Sequence, residues 1–273
     1  MTSVQRPPAA APVGVFDSGV GGLTVLRAVH ALLPAEALHY VADSTHAPYG
    51  DKPVEYVQAR AAHGLRRLRE AGCKAAVVAC NTVTGLSIEA LRAQHPGWPI
   101  VAIEPAVKPA AQRTRRGTIG VLATRNTVAS PGLARLIAAH AAGVRVLTRA
   151  CSGWVERVER GELDGPATEA AVAQHVHPLV QAGADVLVLG CTHYPFLRPV
   201  IERVAGAGVE VLDPAPAVAR ELRRRLQALD LLAPEGPPAT VLTLQTSGDP
   251  AAVGAVAQRL LGDALRVHAQ PLD

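Results

Sequence analysis

Two cysteines in this chain of 273 residues sit in nearly the same local setting. Cys80 follows the apolar run Ala75 to Ala79 and leads into Asn81-Thr82, while Cys191 follows Val186 to Leu189 and Gly190 and leads into Thr192-His193. A thiol at the carboxyl end of a strand, where a helix begins, meets free backbone N–H groups and the positive end of the helix. Both favour the thiolate, so each pKa is expected modestly below the usual value of about 8.5. A group titrating near the working pH serves as acid or base. Two such groups on opposite faces of one carbon can remove a proton from one side and return one from the other, inverting a stereocentre. The plain alternative is a pair of inert buried thiols, because free cysteine packs as a small hydrophobe. Matched placement and polar followers favour chemistry. Cys73 and Cys151 lack that setting and read as structural.

Elements that would position these thiols are legible as short apolar runs ending in polar loops. Strands are predicted at Val13 to Phe16, Leu38 to Ala42, Ala75 to Ala79 and Ile100 to Ile103, with helical patterns through Leu33 and over Val54 to Ala71. The order recurs at Thr118 to Leu122, Val144 to Leu147, Val186 to Leu189 and Val209 to Leu212. Strand alternating with helix argues an α/β fold with parallel sheets. Cys80 and Cys191 are 111 residues apart; Glu104-Pro105 and Asp213-Pro214 are 109 apart. Two motifs in one order at nearly one offset point to two copies of a doubly wound unit. Facing units would set the thiols on opposite sides of a shared cleft. A helix over Pro216 to Leu229 and a strand at Thr240 to Gln245 follow, and this tail is expected to return to the first unit. The predicted organisation is a loose tail over 1–12, a discontinuous first domain over 13–107 plus 214–273, and a second domain over 108–213.

Composition narrows the classes of function. Hydrophobic residues make up 49% and charged residues 18%, enough to build a core without disulfide or metal. No apolar run approaches the roughly 20 residues of a membrane helix, and the first dozen residues lack an apolar signal core, so a cytoplasmic protein that does not bind membranes is expected. Net charge is +4, but the arginines are scattered and aromatics are only 3%, so no nucleic-acid partner is expected. Gly19-Val-Gly21-Gly22 fails the dinucleotide spacing because the third glycine would fall at Thr24. A pyridoxal-phosphate enzyme needs a Schiff-base lysine, and none of Lys52, Lys74 or Lys108 sits at a strongly predicted catalytic loop.

Asp17-Ser18-Gly19-Val20-Gly21-Gly22, Pro48-Tyr49-Gly50, Ala79-Cys80-Asn81-Thr82, Gly190-Cys191-Thr192-His193-Tyr194-Pro195 and Thr246-Ser247-Gly248-Asp249, in this order, resemble the cofactor-independent glutamate racemases of bacterial cell-wall synthesis. The resemblance spans Val13 to about Asp249. It implies two α/β domains related by a pseudo-twofold axis with the site in the cleft between them, and interconversion of L- and D-glutamate without pyridoxal phosphate or metal. A homodimer is expected. On this resemblance Cys80 deprotonates D-glutamate and Cys191 deprotonates L-glutamate, with Asp17 and His193 as their helpers. A histidine beside a thiol can assist its ionisation, and an acid near the ammonium can stabilise the bound amino acid. A loop-capping Asp17 and a backbone-satisfied His193 are the plain alternatives.

Substrate contacts are expected from Asp17, Ser18, Tyr49, Gly50, Asn81, Thr82, Thr124, Thr192 and His193, because hydroxyls, amides and backbone N–H groups suit two carboxylates. Asn81 and Thr82 could instead cap a helix, and Tyr49 could be a packing ring. After Cys151 the chain departs from the family pattern: Ser152-Gly-Trp-Val-Glu-Arg-Val-Glu159 offers Glu159 as the acid beside the second thiol, with Glu156 as its rival. A racemase of another acidic amino acid such as aspartate, or a non-catalytic acidic amino-acid-binding protein, would share much of this cleft.

Overall fold

A computed structural model describes residues 8–272. The first half runs β1 (Val13–Asp17), α1 (Leu23–Leu32), β2 (Leu38–Ala42), α2 (Val54–Glu70), β3 (Ala75–Val78), α3 (Asn81–Gln94) and β4 (Ile100–Ala102). The second runs α4 (Val107–Arg113), β5 (Thr118–Ala123), α5 (Arg125–Val128), α6 (Pro131–His140), β6 (Arg145–Ala150), α7 (Trp154–Glu159), α8 (Pro166–Gln181), β7 (Val186–Gly190), α9 (Arg198–Ala205) and β8 (Glu210–Leu212). The chain then adds α10 (Ala215–Ala228), β9 (Val241–Thr246), α11 (Pro250–Leu261) and β10 (Arg266–Pro271).

Two parallel sheets result, one ordered β10-β9-β2-β1-β3-β4 and the other β6-β5-β7-β8. Each sheet with its helices is called a lobe. β2-β1-β3-β4 and β6-β5-β7-β8 have one order, as the repeated motifs predict. That equivalence puts Cys80, after β3, and Cys191, after β7, at corresponding strand ends. Central strands such as β1, β3 and β7 are buried along their whole length, which is why they read as unbroken apolar runs.

Differences from expectation fall at the sheet edges. β6 runs on to Ala150 through Arg145, Thr148 and Arg149, and its residues are only half-buried. β10 joins the far edge of the first sheet and was not anticipated. An edge strand with a wet face need not be apolar. Residues 8–12, part of the expected loose tail, instead form a turn: Lys74 Nζ donates to the Ala9 carbonyl and the Lys74 N–H to Pro12. The remainder of that predicted tail, 1–7, lies outside the described residues. One apolar cluster is continuous between the lobes, joining Val15, Leu26 and Val77 of the first to Leu189, Trp154 and Tyr194 of the second. No helix among the described residues is long and apolar enough to cross a membrane.

Candidate active site

Cys80 caps the N-terminus of α3, and its thiol lies 3.7 Å from the Ser18 hydroxyl oxygen, to which it donates. The backbone N–H of Val83 acts on the sulfur as the helix-end argument requires, but it does not win. Burial first, then the negative charge of Asp17, push the Cys80 thiol well above the ordinary range, and an ionised Cys191 adds to the rise. The expected modest depression is therefore corrected for Cys80. Desolvation of a thiolate outweighs a single helix end. The same interaction places each sulfur in the field of the other.

Cys191 follows β7, and the Nδ1 atom of His193 lies 3.8 Å from its sulfur. On the other side of that ring, Nε2 is 2.6 Å from Oε1 of Glu159, which projects from α7. The same oxygen accepts the Val20 N–H at 2.9 Å, bringing the glycine loop of the first lobe to the second. Burial alone would lower the pKa of His193, but contacts with Cys191 and Glu159 outweigh it and hold the imidazole well above its usual value. Glu156, the rival acid, lies instead on a small cavity with Gly50, Thr124 and Cys151. Small residues make the approach feasible: a Cβ on Gly19 would fall 2.0 Å from Glu159 Oε1, and one on Gly21 would fall 2.3 Å from His193 Nδ1.

Asp17 is fully buried at the end of β1. It accepts the Gly22 N–H at 2.8 Å and lies 3.3 Å from the hydroxyl of Thr192 across the lobe boundary. Burial raises its pKa; His193 and the Gly22 and Ser18 N–H groups oppose that rise without cancelling it. The expected helpers are thus drawn into one buried network, Asp17 with Thr192 and His193 with both Cys191 and Glu159.

Tyr49 and Gly50 form a short turn opposite Thr124. The Tyr49 hydroxyl donates to Asp43, whose carboxylate Arg60 also holds with two N–H groups. Burial would raise Asp43, but Arg60 and Tyr49 hold it below the usual carboxylate range. The Tyr49 hydroxyl proton is thereby committed to Asp43. Asp43 and Arg60 were missed. The available signal was an acid at the carboxyl end of β2, directly comparable to Asp17 after β1.

Thr82 and Thr124, from opposite lobes, share a hydrogen bond of 2.9 Å, and Thr127 completes a hydroxyl triangle at 3.2 and 2.9 Å. Asn81 is buried with no partner for either amide atom. It also borders a cavity of about 330 Å³ between α3 and α6, with Glu104, Arg92 and Arg135. The late motif proves architectural: Thr45 donates to the Ser247 carbonyl, and Asp249 caps α11 by accepting from Ala251 and Ala252. Cys151 is buried at the end of β6, with Tyr194 donating to its carbonyl.

Known proteins share this fold. A model of the Asp/Glu/Hydantoin racemase family matches residues 14–222. Glutamate racemase of Pseudomonas entomophila is 49% identical over 263 residues, covering 96% of this chain and 98% of that protein. Among solved structures, a glutamate racemase of Bacillus anthracis superposes with a TM-score of 0.86 at 31% identity, covering 96% of this chain and 97% of that one. The Escherichia coli glutamate racemase, solved with L-glutamate and the activator UDP-MurNAc-ala, superposes with a TM-score of 0.82 at 31% identity, covering 96% and 98%. Agreement in sequence along most of the chain, and in the paired sheets that carry the two thiols, leads to one conclusion: this chain belongs to the Asp/Glu/Hydantoin racemase family.

Proposed function

We propose that this chain interconverts L- and D-glutamate by proton transfer between the α carbon and two thiols. The observation that carries the reading is the pair of buried cysteines at corresponding strand ends, Cys80 beside the Ser18 hydroxyl and Cys191 beside the His193 imidazole. In one direction the Cys191 thiolate takes the α proton of L-glutamate, forming an S–H bond as the C–H bond breaks. The Cys80 thiol then returns its own proton to the opposite face, leaving D-glutamate and a Cys80 thiolate. The reverse reaction exchanges these roles. His193, held by Glu159, relays a proton to or from Cys191, while Asp17 faces the substrate ammonium. That positive charge favours ionisation of both Asp17 and Cys80, offsetting the burial that opposes it. Ser18, Thr82, Thr124 and Thr192 supply donors for the two carboxylates.

The same reading carries a cytoplasmic homodimer that supplies D-glutamate for peptidoglycan; sedimentation of the purified protein checks the dimer. The decisive assay follows the optical activity of L- and D-glutamate, and of aspartate, together with α-hydrogen exchange in deuterated water. Racemisation of glutamate in both directions is expected. Cys80→Ser and Cys191→Ser should each slow it by about 10²- to 10⁴-fold, the usual contribution of a placed acid or base. Full activity in either variant removes that cysteine from the mechanism, and racemisation of aspartate alone reassigns the substrate.

A further inference from the structure

Both thiols are closed off. Cys80 is 5% exposed and Cys191 7% exposed. The cavity at the adjoining lobe seam, between Gly50, Thr124, Cys151 and Glu156, measures about 40 Å³. That volume admits a few waters but not an amino acid with two carboxylates. Access to the thiols then requires the lobes to part, and the seam between the turn at Tyr49–Asp51 and the segment Thr124–Asn126 borders this cavity. What holds this seam shut then decides when the thiols are reached.

Beside the hydroxyl contacts of Thr82 with Thr124 and Thr127, three contacts join the turn to this segment directly. Arg125 and Asp51 form an ion pair at 2.9 Å, but both side chains are mostly in solvent, where such a pair contributes little. Gly50 lies so near Thr124 that a Cβ on it would come 2.8 Å from that of the threonine, which is contact without a directional bond. Asn126 differs from both. Its single amide nitrogen donates to the Tyr49 carbonyl at 2.9 Å and to the Lys52 carbonyl at 2.8 Å, clamping the two ends of one turn. The turn is rigid from behind, because Tyr49 is anchored on Asp43 and Asp43 on Arg60. A clamp on a rigid turn transmits force to the whole first lobe.

We propose that Asn126 is a positioning residue that latches the lobes closed over Cys80 and Cys191, a role that rests on the racemase reading and deepens it. The side chain touches neither thiol and acts through the Tyr49–Lys52 turn. Alkylation by iodoacetamide at fixed pH, mapped by peptide mass spectrometry in the full chain, measures the opening directly. Cys73 is an internal control, because it is 4% exposed but lies in the first-lobe core against Leu68 and Gly14, away from the seam.

In Asn126→Ala, labelling of Cys80 and Cys191 is expected to accelerate about 5- to 30-fold, as loss of one or two hydrogen bonds allows, with Cys73 unchanged. Asn126→Asp keeps the shape, removes both donors and should behave likewise. KM for glutamate should rise by a similar factor while kcat stays within about twofold. Unchanged labelling of Cys80 and Cys191 in both variants, or acceleration of all three cysteines together, overturns the latch. Because labelling needs no turnover, an inactive wild-type protein would refute the racemase reading while the latch was still judged on its own data.

Discussion

Carboxylates buried among other acids are costly to ionise, and Asp17 shows what that cost does at a site. Its pKa is raised chiefly by burial, so above its folded pKa the native state carries a penalty that the unfolded chain does not. Below about 3.8, where the carboxyl is protonated in both states, the penalty vanishes. Asp17→Asn should therefore raise the melting temperature at pH 8, and the gain should shrink as the pH falls toward 4. The same variant should lose at least about tenfold in racemisation, because the substrate ammonium loses its counter-charge. Thermal melts across pH, set beside the optical assay, check both halves; a variant destabilised at pH 8 would contradict the burial argument. Residue type and strand-end placement made Asp17, Cys80, Cys191 and His193 readable as candidates. The direction of the Cys80 shift was not readable, since desolvation depends on what closes over the sulfur.

Helix α3 carries Cys80 at its N-terminus, so whatever fixes α3 fixes one of the two thiols. Where α3 meets α6, Gly85 and Gly132 bring the two backbones together: a Cβ on Gly132 would lie 2.8 Å from the Gly85 Cα and 3.0 Å from its carbonyl oxygen. Backbone cannot rotate aside as a side chain can. Gly132→Ala gains about 1 kcal/mol of helix propensity, whereas overpacking costs about 1–3 kcal/mol. Net destabilisation of up to about 2 kcal/mol in urea unfolding is expected, and stabilisation would show that the helices can slide apart freely. Nothing in the local pattern of Thr84-Gly85-Leu86 or Pro131-Gly132-Leu133 signals this crossing. By contrast, β1, β3 and β7 announced themselves because both faces are dry. β6 was legible only in part, at Val144 to Leu147, and β10 not at all, because edge strands keep polar residues on the solvent side.

The whole molecule is tied together by its tail. β9 pairs with β2 in register from Leu38 opposite Leu242 to Ala42 opposite Thr246, and β10 covers β9 in turn. α10 packs on α1, while α4 packs against α6 and β7 of the second sheet. From these contacts we propose domain limits of 13–107 plus 214–273 and of 108–213. Truncation after Pro238 should expose the edge of β2 and strip α11 from the first lobe; the product is expected in the insoluble fraction, and a soluble, cooperatively melting product would refute that dependence.

Sequence by itself determined the parallel α/β units, their duplication and the strand ends where thiols, acid and histidine gather, because those features are written in local periodicity and in residues that follow buried strands. Tertiary structure decided the rest. Glu159 rather than Glu156 meets His193, Tyr49 gives its hydroxyl to Asp43, and Asn126 reaches the Tyr49–Lys52 turn, since each depends on which surfaces distant in the chain come into contact.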